Sequence, residues 1–280
     1  MDKEEILKGA SVYISGFKDK IFVVKYGGSI LDDDNISDSI LDDIICLHNN
    51  GIRVVLVHGG GSEITRLMKA KGKSPKFVGG LRVTDKETVE IVDEALSSIN
   101  LNLVKRIRSK GVKAKPLVSR ETLTIKGKRK DKAAQGDFAG DVTSVDIKYI
   151  NEALGNGSIP VVSPVGVDDE KGLYNINADL AAAEVAAAVS AEKFIMLTNV
   201  RGVMTKKGDE ASLISTLHEK EAQRLIDEGV IDSGMIPKVQ AGILALDKGV
   251  KKAHIINGKT RHSLLIEVFT DKGIGTELII

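Results

Sequence analysis

A single cysteine in 280 residues leaves no internal disulfide to hold the fold. That residue, Cys46, stands in Ile44-Ile45-Cys46-Leu47, an apolar helical face, and reads as a packed thiol. No apolar stretch is long enough to span a bilayer, and the longest weakly polar run, 178–191, is broken by Asp179 and Glu184. The N-terminus, Met1-Asp2-Lys3-Glu4-Glu5, is charged and has no signal-peptide core. A formal net charge of +1 asks for neither nucleic acid nor a membrane surface as partner. Together these absences lead us to expect a cytoplasmic protein. The chain also has no Cys/His cluster for zinc, no readable Ser-His-Asp spacing, and no GxxxxGK[ST] loop. It has no GxGxxG with a following acidic residue, which argues against a dinucleotide fold. Neither an internal repeat nor a low-complexity linker divides it.

What the chain does have is a pair of glycine-rich loops, each after a short apolar run. Ile21-Phe22-Val23-Val24 leads into Lys25-Tyr26-Gly27-Gly28-Ser29, and Val54-Val55-Leu56-Val57 leads into His58-Gly59-Gly60-Gly61-Ser62. Four apolar residues rich in β-branching and ended by glycine read as a buried parallel strand. Glycine at the exit lets backbone N–H groups come close to an anion, and a helix starting just beyond adds its positive end. Two such loops in tandem suit two anionic groups held face to face, the geometry of phosphoryl transfer.

The rest of the pattern is consistent with a parallel sheet covered on both faces. Helical spacing runs over Glu4–Phe17, from about Ile36 to Asn49, from near Ser62, over 86–110 and over Ala178–Ser190. It recurs near Glu219–Glu228 and after Pro237. Further strands are expected at 159–163, 194–197 and 253–256, and the chain closes on Leu264 to Thr270. The polar, basic stretch 120–132 reads as a surface β-hairpin, and a second polar hairpin is expected near Thr205 to Glu210. Any division into lobes must fall inside this continuous pattern, and we place it near 190.

Several residues stand out as candidates for chemistry. Lys25 ends a buried strand against a glycine loop, where a compact cation can reach a phosphate. In Asn175-Ile-Asn-Ala-Asp179, Asn177 or Asp179 can cap the following helix, while an aspartate can also hold two lysines by charge-assisted hydrogen bonds. Lys238 follows Pro237 at a helix start, where its charge opposes the helix dipole. Gly79-Gly80-Leu81-Arg82 presents a guanidinium suited to a carboxylate. His58 reads as structural, since phosphate binding does not require a histidine.

These segments, taken in order, resemble the amino acid kinase family. The resemblance is carried by Val24-Lys-Tyr-Gly-Gly28, Leu56-Val-His-Gly-Gly-Gly61, Gly80-Leu-Arg-Val-Thr-Asp85 and Gly140-Asp-Val-Thr-Ser-Val-Asp146. It continues through Ile159-Pro-Val-Val-Ser-Pro-Val-Gly166, Tyr174-Asn-Ile-Asn-Ala-Asp179, Gly234-Met-Ile-Pro-Lys238 and Phe269-Thr-Asp-Lys-Gly-Ile-Gly-Thr276. It implies an α/β fold: a three-layer αβα sandwich with a mainly parallel central sheet and two lobes. It further implies ATP-dependent phosphorylation of the γ-carboxylate of N-acetyl-L-glutamate, the second step of arginine biosynthesis. Residues 20–190 would form the acetylglutamate lobe and 191–280 the nucleotide lobe.

By the same likeness, Lys25 and Lys238 would stabilise the transferring phosphoryl group, with Asp179 holding them in register. Gly60, Gly61, Arg82 and Asn175 would bind acetylglutamate. Gly27, Gly28, Thr198, Asn199, Gly202 and Lys206 would face the nucleotide, and Mg²⁺ would ride on the ATP phosphates rather than in a protein cage. A helix over 1–19 is the mark of arginine-inhibited members, in which it links dimers into a hexamer, a trimer of dimers. Tyr13, His254, Glu267 and Gly273 match positions that bind the inhibitor L-arginine. The sequence departs from the family pattern at 117–121, Asn199, Asn257 and Lys259. An aminoadipate-type kinase is the neighbouring reading, opposed by Gly80–Asp85; a non-catalytic amino-acid sensor would be expected to lack one of the charged residues.

Overall fold

A computed structural model describes residues 4, 10–78, 80–130, 136–206, 208–232, 234–270 and 273–280. The first half of the described chain runs α1 (Ser11–Phe17), β1 (Ile21–Tyr26), α2 (Asp34–Asn49), β2 (Arg53–His58), α3 (Gly61–Ala70), β3 (Phe77–Val78), β4 (Leu81–Arg82), α4 (Lys86–Ser109) and β5 (Ala114–Leu117). It continues α5 (Ser119–Thr122), β6 (Ile125–Arg129), β7 (Ala139–Val145), α6 (Lys148–Gly155), β8 (Ile159–Val162), β9 (Val165–Val167), β10 (Leu173–Ile176) and α7 (Ala178–Ala188). The last part is β11 (Lys193–Thr198), β12 (Thr216–His218), α8 (Glu219–Asp227), α9 (Ile236–Asp247), β13 (Lys252–Asn257), α10 (Ser263–Phe269) and β14 (Thr276–Ile279). Among these residues no helix is long and apolar enough to cross a membrane.

Eight strands form one sheet in the order β12-β14-β13-β11-β1-β2-β8-β5. Pairing is parallel from β13 through β5, and β14 lies antiparallel to β13 at one side. This is the expected αβα sandwich, because strand alternation sends successive side chains to opposite faces. Phe22, Val24 and Tyr26 of β1 pack with Ile40, Leu41, Ile44 and Leu47 of α2 and Leu264, Leu265 and Val268 of α10. Val23 points the other way, into a core with Ala182, Ala186 and Val185 of α7 and Val239, Ala241 and Ala245 of α9. The alanines of α7 are small enough to let α9 and the sheet approach closely. A third cluster, with Ile64, Met68, Val92, Leu96 and Val165, lies beneath β9 and β10. Cys46 is buried in the α2 core, as its apolar neighbours require.

Two sequence expectations are modified by tertiary pairing. Residues 120–132 do not form one surface hairpin: α5 takes the first of them, and β6 joins β7, β9 and β10 in a small closed sheet that buries Ile125 and Gly127. Residues 131–135, which include the expected end of that hairpin, lie outside the described residues. The hairpin near Thr205 to Glu210 is reduced to a bridge between Met204 and Leu213. The helix expected over 4–17 is described at residue 4 and over Ser11–Phe17; Ile6 and Leu7 are outside the described residues, as are Gly79 and residues 271–272. Beyond α10, β14 inserts between β13 and the edge strand β12, a strand too short to stand out in the pattern.

Candidate active site

The parallel strands β1, β2, β8, β11 and β13 all end at one edge of the sheet, where open α/β folds bind ligands. Here the two glycine loops meet. Gly59 N donates to Tyr26 O at 2.7 Å, and a Cβ on Gly27 would lie 3.0 Å from both Gly59 Cα and Gly59 N. Only glycine permits that backbone contact.

Alternation along β1 turns Lys25 away from Tyr26 and onto the α7 face. The first turn of α7 carries Asp179, where the helix dipole favours a carboxylate. Asn177 caps this helix, its Oδ1 accepting from Asp179 N at 2.9 Å and Leu180 N at 3.2 Å. Lys25 Nζ lies 2.9 Å from Asp179 Oδ1, and Lys238 Nζ donates to Oδ2 at 3.0 Å. Lys238 sits in the first turn of α9, held there because α9 packs on α7. Burial pushes the Asp179 carboxyl up, but the charges and hydrogen bonds of the two lysines outweigh it and hold it at about 2. The group is therefore an anion with a cation on each oxygen. The capping alternative is settled as well: Asn177 is the cap, and Asp179 is free to clamp.

A cavity of about 220 Å³ opens in front of this triad. Gly28, Gly60, Gly61, Arg82 and Asn175 are among the residues that line it. Arg82 is buried; its Nη2 donates to Gly61 O at 3.0 Å and Thr65 Oγ1 at 2.9 Å, and its guanidinium lies 4.8 Å from the centre of the Phe77 ring. Asn175 Nδ2 donates to Thr84 Oγ1 at 2.9 Å, and Thr84 Oγ1 donates to Arg82 O at 2.8 Å. The two candidate binders are thus cross-braced through Thr84. Lys130 also lines the cavity. Sequence reading missed it because it lies in a run of surface-like basic residues, and only the β6–β7 pairing turns it inward.

The candidates on the other side of β1 cluster near the end of β11. Thr198 is buried, its Oγ1 donating to Val200 O at 2.7 Å. Gly202 is buried beside Thr276, whose Oγ1 accepts from Val203 N at 2.9 Å. Asn199 and Lys206 are exposed on the loop above, and Lys206 N donates to Ser212 Oγ at 3.0 Å. None of these four lines the cavity just described.

A second constellation gathers at the start of β11. Glu267 Oε1 lies 2.8 Å from His254 Nδ1, and Glu267 Oε2 accepts from Ile274 N at 2.8 Å. His254 Nε2 is 3.2 Å from Lys193 Nζ, which sits 5.4 Å from the centre of the Phe17 ring; Phe17 in turn stacks with Tyr13. Gly273 adjoins Glu267, with its Cβ position 3.6 Å from Oε2. Burial depresses the Lys193 ammonium and the His254 imidazolium alike. A neutral His254 therefore accepts from Lys193 and donates to an ionised Glu267. Tyr13, His254, Glu267 and Gly273 are connected through Phe17 and Lys193, two residues that sequence reading left out. A lysine opening a buried strand was the available signal for Lys193.

Fold and site together define a class: α/β proteins in which paired glycine loops at the sheet edge face a lysine-clamped aspartate. The chain belongs to the amino acid kinase family, whose model matches residues 20–257. It is 42% identical over 294 residues to the acetylglutamate kinase of Aquifex aeolicus (strain VF5), covering 99% of this chain and 98% of that protein. Among solved structures it resembles N-acetylglutamate synthase from Neisseria gonorrhoeae complexed with coenzyme A and N-acetyl-glutamate, at TM-score 0.87 and 26% identity. That match covers 100% of this chain and 64% of the synthase chain, so this chain spans under two thirds of that longer protein. The same synthase complexed with coenzyme A and L-arginine matches at TM-score 0.80 and 26% identity, covering 99% and 65% of the two chains.

Proposed function

We propose that this enzyme transfers the γ-phosphoryl group of ATP to the γ-carboxylate of N-acetyl-L-glutamate, giving N-acetyl-L-glutamyl 5-phosphate in the arginine pathway, in the cytoplasm. The observation that carries the chemistry is the Lys25–Asp179–Lys238 clamp at the mouth of two glycine loops. A carboxylate nucleophile needs no general base. Catalysis then reduces to in-line positioning and charge neutralisation, for which two fixed ammoniums beside glycine loops are suited. Lys25 and Lys238 meet the charge on the transferring group, and Asp179 keeps them from separating. Gly60 and Gly61 supply amides, and Arg82 and Asn175 hold the substrate. Both oxygens of Asp179 are taken by ammoniums, so Mg²⁺ would come on the ATP phosphates with water as its other ligands.

On this reading residues 20–190 form the acetylglutamate lobe. Residues 191–280 form the nucleotide lobe, whose Thr198, Asn199, Gly202 and Lys206 face ATP together with Gly27 and Gly28 from the other lobe. L-Arginine inhibits by binding among Tyr13, His254, Glu267 and Gly273, with Glu267 facing its guanidinium. Support comes from the packing of Phe17 over Lys193 and from the arginine complex of the related synthase. Residues 1–19 would join dimers into a hexamer, so the inhibitor site would adjoin a subunit contact. The test is ATP consumption with N-acetyl-L-glutamate and with L-2-aminoadipate, each with and without L-arginine. Turnover on acetylglutamate alone, suppressed by arginine, is the expected result. Turnover on aminoadipate instead would move the substrate assignment, and none on either acid would refute the enzyme reading.

A further inference from the structure

His58, placed beside the second glycine loop, is fully buried and sits in a hydrogen-bond chain that admits one proton arrangement. Asn100 of α4 donates from Nδ2 to Val161 O on β8 at 2.8 Å, and the same Nδ2 lies 3.2 Å from His58 Nε2. An amide nitrogen only donates, so Nε2 must accept. The ring proton then resides on Nδ1, which lies 3.0 Å from Gly59 O and donates to it. Burial lowers the imidazole to about 4, against a smaller opposing effect of the Gly59 contact, so the ring is neutral at pH 7.

The consequence falls on the next peptide. In a planar trans peptide the C=O and the following N–H point in opposite directions. Drawing the Gly59 oxygen towards His58 therefore turns the Gly60 N–H away from the ring. Gly60 itself lines the cavity between the clamp and Arg82. Its other side is closed by α4, since a Cβ on Gly60 would lie 2.6 Å from Ile99 Cδ1 and 2.7 Å from Leu96 Cδ2. Helix α4 thus grips the loop twice, by apolar contact at Gly60 and by the Asn100–His58 chain at Gly59.

We infer that His58 and Asn100 are positioning residues for phosphoryl transfer, fixing the Gly59–Gly60 peptide so that the Gly60 N–H meets the charge that develops on the reacting group. This rests on the kinase reading above. Wild-type turnover on acetylglutamate tests that reading separately: its absence would remove the reaction without touching the tautomer assignment. Positioning acts on the transition state, so its loss lowers kcat and leaves KM nearly unchanged.

The experiment compares full-length wild type, His58→Asn, His58→Gln and Asn100→Leu. An asparagine amide can stand where Nδ1 stands and keep the donor to Gly59 O; a glutamine reaches towards Asn100 instead. Removing one such oxyanion donor outright costs about 10²–10³ in kcat. Displacing it should therefore cost about 10- to 100-fold in His58→Gln and Asn100→Leu, with KM for both substrates within about threefold of wild type. His58→Asn should recover most of that loss. In parallel, ¹⁵N-histidine NMR of the wild type, with the His58 signal assigned by its disappearance in a variant, should show a protonated Nδ1 and a bare Nε2. If a variant fails to fold, the NMR result decides. A protonated Nε2, or folded His58→Gln and Asn100→Leu variants with wild-type kcat, would overturn the inference.

Discussion

Replacing Asp179 by asparagine should weaken folding in a pH-dependent way that identifies its cause. The carboxylate is buried between Lys25 at 2.9 Å and Lys238 at 3.0 Å. Its pKa falls from 3.8 to about 2, which corresponds to about 2 kcal/mol of stability at pH 7. One-sided removal of a buried ion-pair partner costs about 3–5 kcal/mol in other proteins, so Asp179→Asn should lose about 2–4 kcal/mol at pH 7. The sign with pH is fixed. A group whose folded pKa is depressed contributes fully above its unfolded pKa, here 3.8, and loses that contribution as pH falls through the folded value. At pH 3 about 1 kcal/mol of the 2 should remain, so the gap between wild type and variant should narrow by about 1 kcal/mol. Urea unfolding followed by far-UV circular dichroism at pH 7 and pH 3 measures both gaps. A gap of equal size at the two pH values would show that the loss does not follow ionisation of the carboxyl and would refute the clamp as its source. The same variant should lose about 10² or more in kcat, since the two ammoniums would drift out of register.

Three further outcomes are expected. Lys238→Ala should abolish measurable turnover while the circular dichroism spectrum stays that of the wild type; retained activity would remove its assigned role. Gly27→Ala must push on the Gly59 backbone at 3.0 Å, which cannot swing aside as a side chain could. Its kcat should fall about 10²-fold, with urea unfolding showing a loss of only about 1–2 kcal/mol, and an unchanged kcat would mean that the loops need not touch. Glu267→Gln should raise the arginine concentration for half-inhibition at least 10-fold with uninhibited kcat unaltered, as dose–response curves would show, because a guanidinium loses its anionic partner.

Much of the architecture was legible in the sequence because its signals are local. Apolar runs of four or more, glycine at their exits and 3.6-residue spacing between them give β1, β2, α2, α4, α7 and β11 to within a few residues. Residues such as Lys25, Asp179 and Lys238 could be nominated because each carries an anomaly in its own neighbourhood: a cation at a buried strand end, a dense polar run, a lysine against a helix dipole. Those local anomalies did not say which of them meet; that came from the family resemblance alone, which implied Asp179 between the two lysines, and the structure supplies the physical reason. Asp179 and Lys238 are 59 residues apart, and their contact exists because α7 and α9 pack on the same face of the sheet. The inward turn of Lys130 depends on β6 and β7 closing a small sheet. The Lys193–His254–Glu267 relay depends on β11 and β13 being parallel neighbours in register, Ile195 beside His254. His58 looked incidental beside its glycines, and only α4 crossing behind the loop gives its Nε2 a partner. Local chemistry sets the inventory of charges and turns; the pairing of distant groups is set by which faces the sheet and helices must bury.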